Sequence, residues 1–304
     1  MPAEEPQLPL ESFLQVRQAL ARFIEEDVGR GDITSDSIIG EGVDAEAEVV
    51  CKTEGATISG LEEAAAIFDM CGCSCHLLAR DGSLTRKKKT RVMLVSGKAR
   101  AILKAERTAL NMLMRMSGIA TETRALADLA RPVRVAATRK TAPGLRLFDK
   151  KAVLAGGGLA HRMRLDDMVL IKDNHLVVAG PPGECIKLAK DRVGSAIKVE
   201  CEARNQEEAI AAVKAGADVV MLDNFTPAQA ARAIREITKL GLRKRALIEV
   251  SGGVTKKNIR QYARARPDYI SMGYITHSPR AVDYSLEILA AATRKEKEKE
   301  KKKG

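Results

Sequence analysis

A chain of 304 residues can bury a sizeable core and makes one large or two moderate domains. Aromatic residues are only 3% of it and Trp is missing, which argues against nucleic-acid recognition by base stacking. The net charge is +11, of which the tail Arg294–Gly304, with seven basic and three acidic residues, supplies +4; the rest favours small anions, because its basic residues cluster at loop positions beside glycines.

No secretory leader and no apolar span of 18 residues is legible, so a reducing cytoplasm and no membrane partner are expected for a chain with six cysteines. Cys71, Cys73 and Cys75 crowd together before His76. Their C-x-C-x-C spacing is not the C-x₂-C of zinc sites, and no second ligand pair follows, so small buried side chains are expected there.

Residues 10–26 read as an amphipathic helix with Phe13, Val16, Leu20, Phe23 and Ile24 on one face. The Gly- and Asp-rich stretch 26–36 reads as a loop, 45–59 as a strand and Leu61–Asp69 as a helix. Residues 77–99 suggest strands around the basic turn Arg86–Arg91, and 99–118 form a helix ended by Gly118. From about 120 the pattern changes. After a helix over Thr121–Ala130, strand-like runs fall at 133–137, 168–171, 197–201, 218–222, 247–250 and 269–272. Helical segments are expected at 184–191, 206–215, 227–240, 256–265 and 279–292. Repeated β-α units imply parallel strands. Every strand ends in a polar or glycine element, whereas an open sheet gathers its binding groups at one switch point. The fold expected is therefore α/β, an N-terminal α+β sandwich domain followed by an open parallel α/β barrel. The boundaries expected are 1–118 for the sandwich, 119–278 for the barrel, 279–293 for a helix returning to the first domain and 294–304 for a disordered charged tail.

The stretch Thr138–Leu176 holds eight Lys or Arg against four Asp, set where strands stop: Arg139 and Lys140 after one run, Lys172 and Asp173 after the next, with His161 and Arg162 behind a triple glycine between them. Arginine forks suit carboxylate and phosphate, so this mouth should take an anion. Ser251, Gly252 and Gly253, then Gly273, follow the last two strands, where glycines let backbone N–H groups approach a phosphate. Glu202 and Asp223 close the middle strands and, facing cations, suggest Mg²⁺ bridging to phosphate oxygens; Glu200 shares the face of Glu202 and is the alternative carboxylate.

The segments EDVGRGDIT, ERTALNMLMRMSGIAT, TRKTAPGLR, GGGLAHRMRL, LIKDNH, KAGADVVMLDNF, IEVSGGV and ISMGYITHS, in this order across about residues 10–292, resemble the quinolinate phosphoribosyltransferase family. The resemblance implies conversion of quinolinate and phosphoribosyl pyrophosphate to nicotinate mononucleotide, pyrophosphate and CO₂. It also implies a homodimer with shared active sites, each barrel mouth being covered by the partner's N-terminal domain, and allows a hexamer built as a trimer of dimers. Carried over by motif, Arg139, Lys140, Thr141, His161 and Arg162 would grip the two quinolinate carboxylates, with Arg107 reaching in from the partner subunit. Lys172 would lie near quinolinate and pyrophosphate, and Lys140, Lys172, Glu202 and Asp223 would be the catalytic set. Glu202 and Asp223 would serve Mg²⁺ and the ribose hydroxyls, and Ser251, Gly252, Gly253 and Gly273 the 5′-phosphate. Glu202 is preferred to Glu200 for its 21-residue separation from Asp223. Arg164 stands where the family pattern has glycine, and the Lys/Glu tail is outside that pattern. A fold-sharing paralogue would lack the full set Arg107, Arg139, Lys140, His161 and Arg162, all present here. A nucleic-acid-binding module is disfavoured by the low aromatic content.

Overall fold

The computed structural model describes residues 12–293, so the expected tail at 294–304 lies outside the described residues. The chain divides into two compact units. The first comprises residues up to Thr121, Leu147–Gly156 and those from Pro279; the second comprises Glu122–Arg146 and Gly157–Ser278. The segment Leu147–Gly156 thus interrupts the continuous 119–278 block expected from sequence.

In the first unit, α1 (Ser12–Val28) and α2 (Ile33–Ile38) precede β1 (Val43–Cys51), α3 (Leu61–Met70), β2 (Ser74–Leu77), β3 (Thr90–Lys98) and α4 (Ala99–Ala130), whose residues from Glu122 belong to the second unit; α5 (Arg146–Ala155), from Leu147 on, and β10 (Tyr284–Thr293) complete it. The four strands form an antiparallel sheet in the order β10-β1-β3-β2. Along β1 the residues Ala45, Ala47 and Val49 are buried and Glu46 between them is exposed, the alternation of a sheet with one apolar face. Part of the stretch read as a loop is the short helix α2, started by Asp32, whose side chain accepts from the Ser35 N–H.

Two helical readings are corrected. The segment 279–293 returns to the first unit as the strand β10, not as a helix: Ala, Leu and Glu favour helix locally, but pairing with β1 from Val43–Thr293 to Cys51–Tyr284 satisfies the backbone of both strands, and tertiary pairing overrides propensity. Gly118 does not end a helix either, since α4 runs through it for 32 residues. A Cβ there would lie 2.3 Å from the Arg280 carbonyl oxygen, so the glycine serves close backbone approach.

The second unit carries β4 (Arg134–Ala136), β5 (Val169–Ile171), α6 (Asp173–Ala179), α7 (Pro182–Val193), β6 (Val199–Ala203), α8 (Gln206–Lys214), β7 (Val219–Asp223), α9 (Pro227–Lys239), β8 (Leu247–Ser251), α10 (Ile259–Arg264), β9 (Tyr269–Ser271) and α11 (Tyr274–His277). Its six strands are parallel, in the order β4-β9-β8-β7-β6-β5. That order is a ring cut once, without the reversal that creates a switch point in a doubly wound sheet. The two edge strands β4 and β5 contribute, with the loops after them, to one cavity, so the sheet is rolled into an open barrel. Leu159 lines up parallel to Ala136 at the β4 edge. Helices α8 and α9 bury Ala209, Ala212, Val213, Ala230, Ala233, Ile234 and Ile237 beneath their polar faces.

Candidate active site

The period of a strand is two, so residues 200/202, 221/223, 249/251 and 269/271 each share a face. Parallel register sets Met221 beside both Glu202 and Glu249, and Asp223 beside Ser251. In most barrels this inward face is packed with branched apolar side chains. Here it carries Glu200, Glu202, Asp223, Glu249, Ser251, Tyr269 and Ser271, and above it opens a cavity of about 510 Å³.

Of the residues expected at the site, Arg139, Lys140, His161, Arg162, Lys172, Glu202, Asp223, Ser251 and Gly252 line that cavity; Gly253 and Gly273 line an adjoining pocket that shares Lys140, Ser251 and Gly252 with it. Arg162 is almost wholly buried, and burial together with the neighbouring Arg139 guanidinium lowers its pKa from the usual arginine value. The Nε of Arg139 is buried without a hydrogen-bond partner among the described residues. Two close guanidiniums, one holding an unpaired buried donor, repel each other and are relieved by an anion.

Lys172 Nζ lies 2.6 Å from Glu202 Oε1, and the Asp173 N–H reaches Glu202 Oε2 at 3.4 Å. Burial, then the charge of Glu202, raises the pKa of Asp223. These two carboxylates are hard oxygen donors held close enough to feel each other's charge, which suits Mg²⁺, a cation that keeps waters and shares its shell with phosphates. Glu202 and not Glu200 lines the cavity; Glu200 lies fully buried below, its pKa pushed well up by burial and by Glu249.

At the glycine loop, Gly252 has φ +78, and a Cβ would come 2.2 Å from Asn224 Oδ1; at Gly273 a Cβ would meet Lys140 Cδ at 2.7 Å. A side chain at Gly252 would have to displace Asn224, whose backbone N would lie 2.9 Å from the Cβ, and one at Gly273 would push Lys140 aside.

Three of the expected residues are placed differently from the rest. Thr141 lines neither pocket: its hydroxyl accepts from Arg146 Nε at 3.2 Å, and Thr138 takes its place on the cavity wall. His161 lines the cavity, but its Nδ1 accepts from the Arg162 N–H at 2.8 Å and its Nε2 lies 3.1 Å from Glu249 Oε2, so both nitrogens are engaged by the protein. Arg107 is on α4 in the first unit, 58% exposed and 3.9 Å from Glu106, and is not among the residues lining the cavity. Arg164 is exposed and outside the lining, its N–H donating to Asp167.

Among the cavity-lining residues that the sequence reading does not single out is the carboxylate of Glu249. Its position two before Ser251, the parity that links Glu200 to Glu202, was the available signal. Glu249, Glu200 and His161 present ligand atoms within 4.8 Å of one another, the one such trio among the described residues. Among the described residues the cysteines form no such group, and burial pushes the Cys73 thiol up to about 11 and that of Cys75 to about 12.

A ring of parallel strands whose carboxyl ends hold paired guanidiniums, lysines, carboxylates and a glycine-lined recess defines an α/β-barrel enzyme for anionic substrates. Residues 32–117 match the N-terminal domain and 119–287 the C-terminal domain described as quinolinate phosphoribosyl transferase, and the chain belongs to that family. It is 41% identical over 273 residues to the probable nicotinate-nucleotide pyrophosphorylase (carboxylating) of Methanothermobacter thermautotrophicus, covering 88% of this chain and 97% of the relative. To the protein of the same description from Methanocaldococcus jannaschii it is 44% identical over 276 residues, covering 89% and 96%. The nicotinate-nucleotide pyrophosphorylase structure from Francisella tularensis superposes with a TM-score of 0.85 at 33% identity, covering 93% of this chain and 98% of that one.

Proposed function

We propose that this cavity transfers the phosphoribosyl group of phosphoribosyl pyrophosphate to quinolinate with loss of CO₂, giving nicotinate mononucleotide and pyrophosphate for NAD biosynthesis. The observation that carries this reading is the pair Arg139 and Arg162, with the Arg139 Nε buried and unpaired. A planar dicarboxylate offers the Arg139 Nε an acceptor and sets negative charge beside both guanidiniums.

Arg139, Arg162 and Lys140 hold the two carboxylates, and His161 serves them by fixing Arg162 rather than by a nitrogen of its own. The backbone of Ser251–Gly253 and Gly273 receives the 5′-phosphate, with Lys140 between the two pockets. As pyrophosphate leaves, positive charge grows on the ribose, and Glu202 and Asp223 face it, while Lys172 takes up charge on the leaving group. Loss of CO₂ leaves electron density beside the new pyridinium, so the substrate is its own sink and the protein's share is positioning. Mg²⁺, held by Glu202 and Asp223, would shield the pyrophosphate charge when bound.

The direct test is production of nicotinate mononucleotide and CO₂ from quinolinate and phosphoribosyl pyrophosphate by the purified protein; no product with either substrate pair in excess sinks the reading. A homodimer with shared sites, Arg107 entering from the partner subunit, is part of the same proposal. Arg107→Ala and Arg139→Ala proteins should each be nearly inactive. After subunit exchange, about half the dimers are mixed and each of these holds one intact site, so about a quarter of wild-type activity should return. Demonstrated exchange without recovery would confine the site to one chain.

A further inference from the structure

Glu249 has no role in the reaction outlined above, yet it sits at the centre of the mouth's floor, fully buried on β8. Its Oε2 is 3.1 Å from His161 Nε2, and its Oε1 accepts from the Ser271 hydroxyl. That hydroxyl lies 3.0 Å from the hydroxyl of Ser251. At the other end, the Arg162 N–H donates to His161 Nδ1. We propose that Glu249 is a positioning residue that ties the carboxylate-gripping end of the mouth to the phosphate-gripping end through one continuous chain of hydrogen bonds. The inference rests on the substrate reading above for what occupies the two ends, not for the chain itself.

The proton directions agree along the chain. Because Nδ1 of His161 accepts, its ring proton is on Nε2 and points at Glu249. Ser271 has one proton, which the carboxylate takes, so the proton between the two serines comes from Ser251. Glu249 therefore needs two acceptor oxygens at once, which only a carboxylate provides. His161 has φ +55, an unfavourable conformation for a side chain of its size, and such a residue persists only where its surroundings hold it. Glu249 on one nitrogen, the Arg162 N–H on the other and the ring of Tyr269, edge-on with centroids 6.1 Å apart, supply that hold. Moving Glu249 thus moves Arg162 at one end and the root of the Ser251–Gly253 loop at the other.

Glu249→Gln keeps the shape but offers one oxygen and one NH₂, so one donor, His161 or Ser271, must turn away. Two measurements decide the matter: equilibrium binding of quinolinate and of phosphoribosyl pyrophosphate, each alone, and ¹⁵N imidazole resonances, resolvable in a chain with four histidines. Glu249→Gln should weaken both ligands about tenfold or more and abolish the single Nε2–H tautomer of His161. Ser271→Ala should weaken phosphoribosyl pyrophosphate alone, keep that tautomer, and add nothing to Glu249→Gln in the double variant. Wild-type affinity for either ligand in Glu249→Gln, or an unchanged His161 tautomer, overturns the proposal. Should Glu249→Gln not fold, Ser271→Ala decides: unchanged pyrophosphate-substrate binding overturns it. A wild-type protein that binds no quinolinate sinks the substrate reading, while the tautomer response still decides the hydrogen-bond chain.

Discussion

In the four-stranded sheet, alternation along β1 sends Ala45, Ala47 and Val49 into an apolar core, and charged residues stay at the surface, where Lys98 meets Asp44 at 2.7 Å and Arg91 meets Glu48 at 3.4 Å. In the six-stranded sheet the same period sends Glu200, Glu202, Asp223, Glu249 and Ser271 inward beside Met221. Desolvating such groups costs free energy unless each finds a partner. The first sheet gains stability from its inner face; the second spends part of its own on a preorganised mouth. Substitutions in the two regions should therefore separate loss of fold from loss of function.

The largest effect expected is on stability alone. Phe68, on α3, is fully buried in the first unit, and Phe68→Ala should cost about 3–5 kcal/mol in denaturant unfolding. Activity per folded molecule in the cold should stay near wild type. A cost below about 1 kcal/mol would mean that this region is not the stabilising core.

Next in size is a charged group buried deep in that unit. Glu63 is held by Lys151 Nζ at 2.8 Å, and Lys151 also meets Glu62 at 2.6 Å. Burial raises the Glu63 pKa, and Lys151 is the main influence opposing it. Lys151→Met should cost roughly 2–3 kcal/mol at neutral pH, less than a wholly buried pair because Lys151 is partly exposed. An acid whose folded pKa is raised contributes stability at low pH and loses it as pH rises through that pKa. The variant's deficit in melting temperature should thus be smaller at pH 5 than at pH 8; an equal deficit would refute the burial argument.

Arg139→Lys carries the contrast into the second unit. It keeps the charge but removes the fork, so kcat/KM for quinolinate should fall about 10- to 150-fold, roughly 1.5–3 kcal/mol, with an unchanged melting curve. Unaltered kinetics would take Arg139 out of the site. The smallest effect belongs to the surface: Lys98→Ala should shift stability by less than about 1 kcal/mol and leave kinetics alone, since the Lys98 side chain is 52% exposed.

Much of this molecule is legible in one dimension. The β-α repeat after residue 120, the polar residues that stop every strand, and the cations beside glycines follow from local spacing, and they locate the mouth because a parallel strand delivers its last residue to a loop. The period of two also marks which residues share a face. It cannot say whether that face meets a core or a cavity, which is why Glu249 passes for one charge in an apolar strand until Ser271 and His161 arrive from elsewhere in the chain. Thr141 and Thr138 are equally polar in sequence, and only the turn between them decides that Thr138 lines the wall while Thr141 holds Arg146. The segment Tyr284–Thr293 has helical composition and becomes a strand because β1 offers it a full ladder of backbone partners more than 230 residues away. Gly118 sits inside a helix because Arg280 needs the space. Local sequence determined most of the elements and the chemistry at their ends; long-range packing decided the rest, because the backbone and carboxylate partners it supplies are set by distance in space and not by separation along the chain.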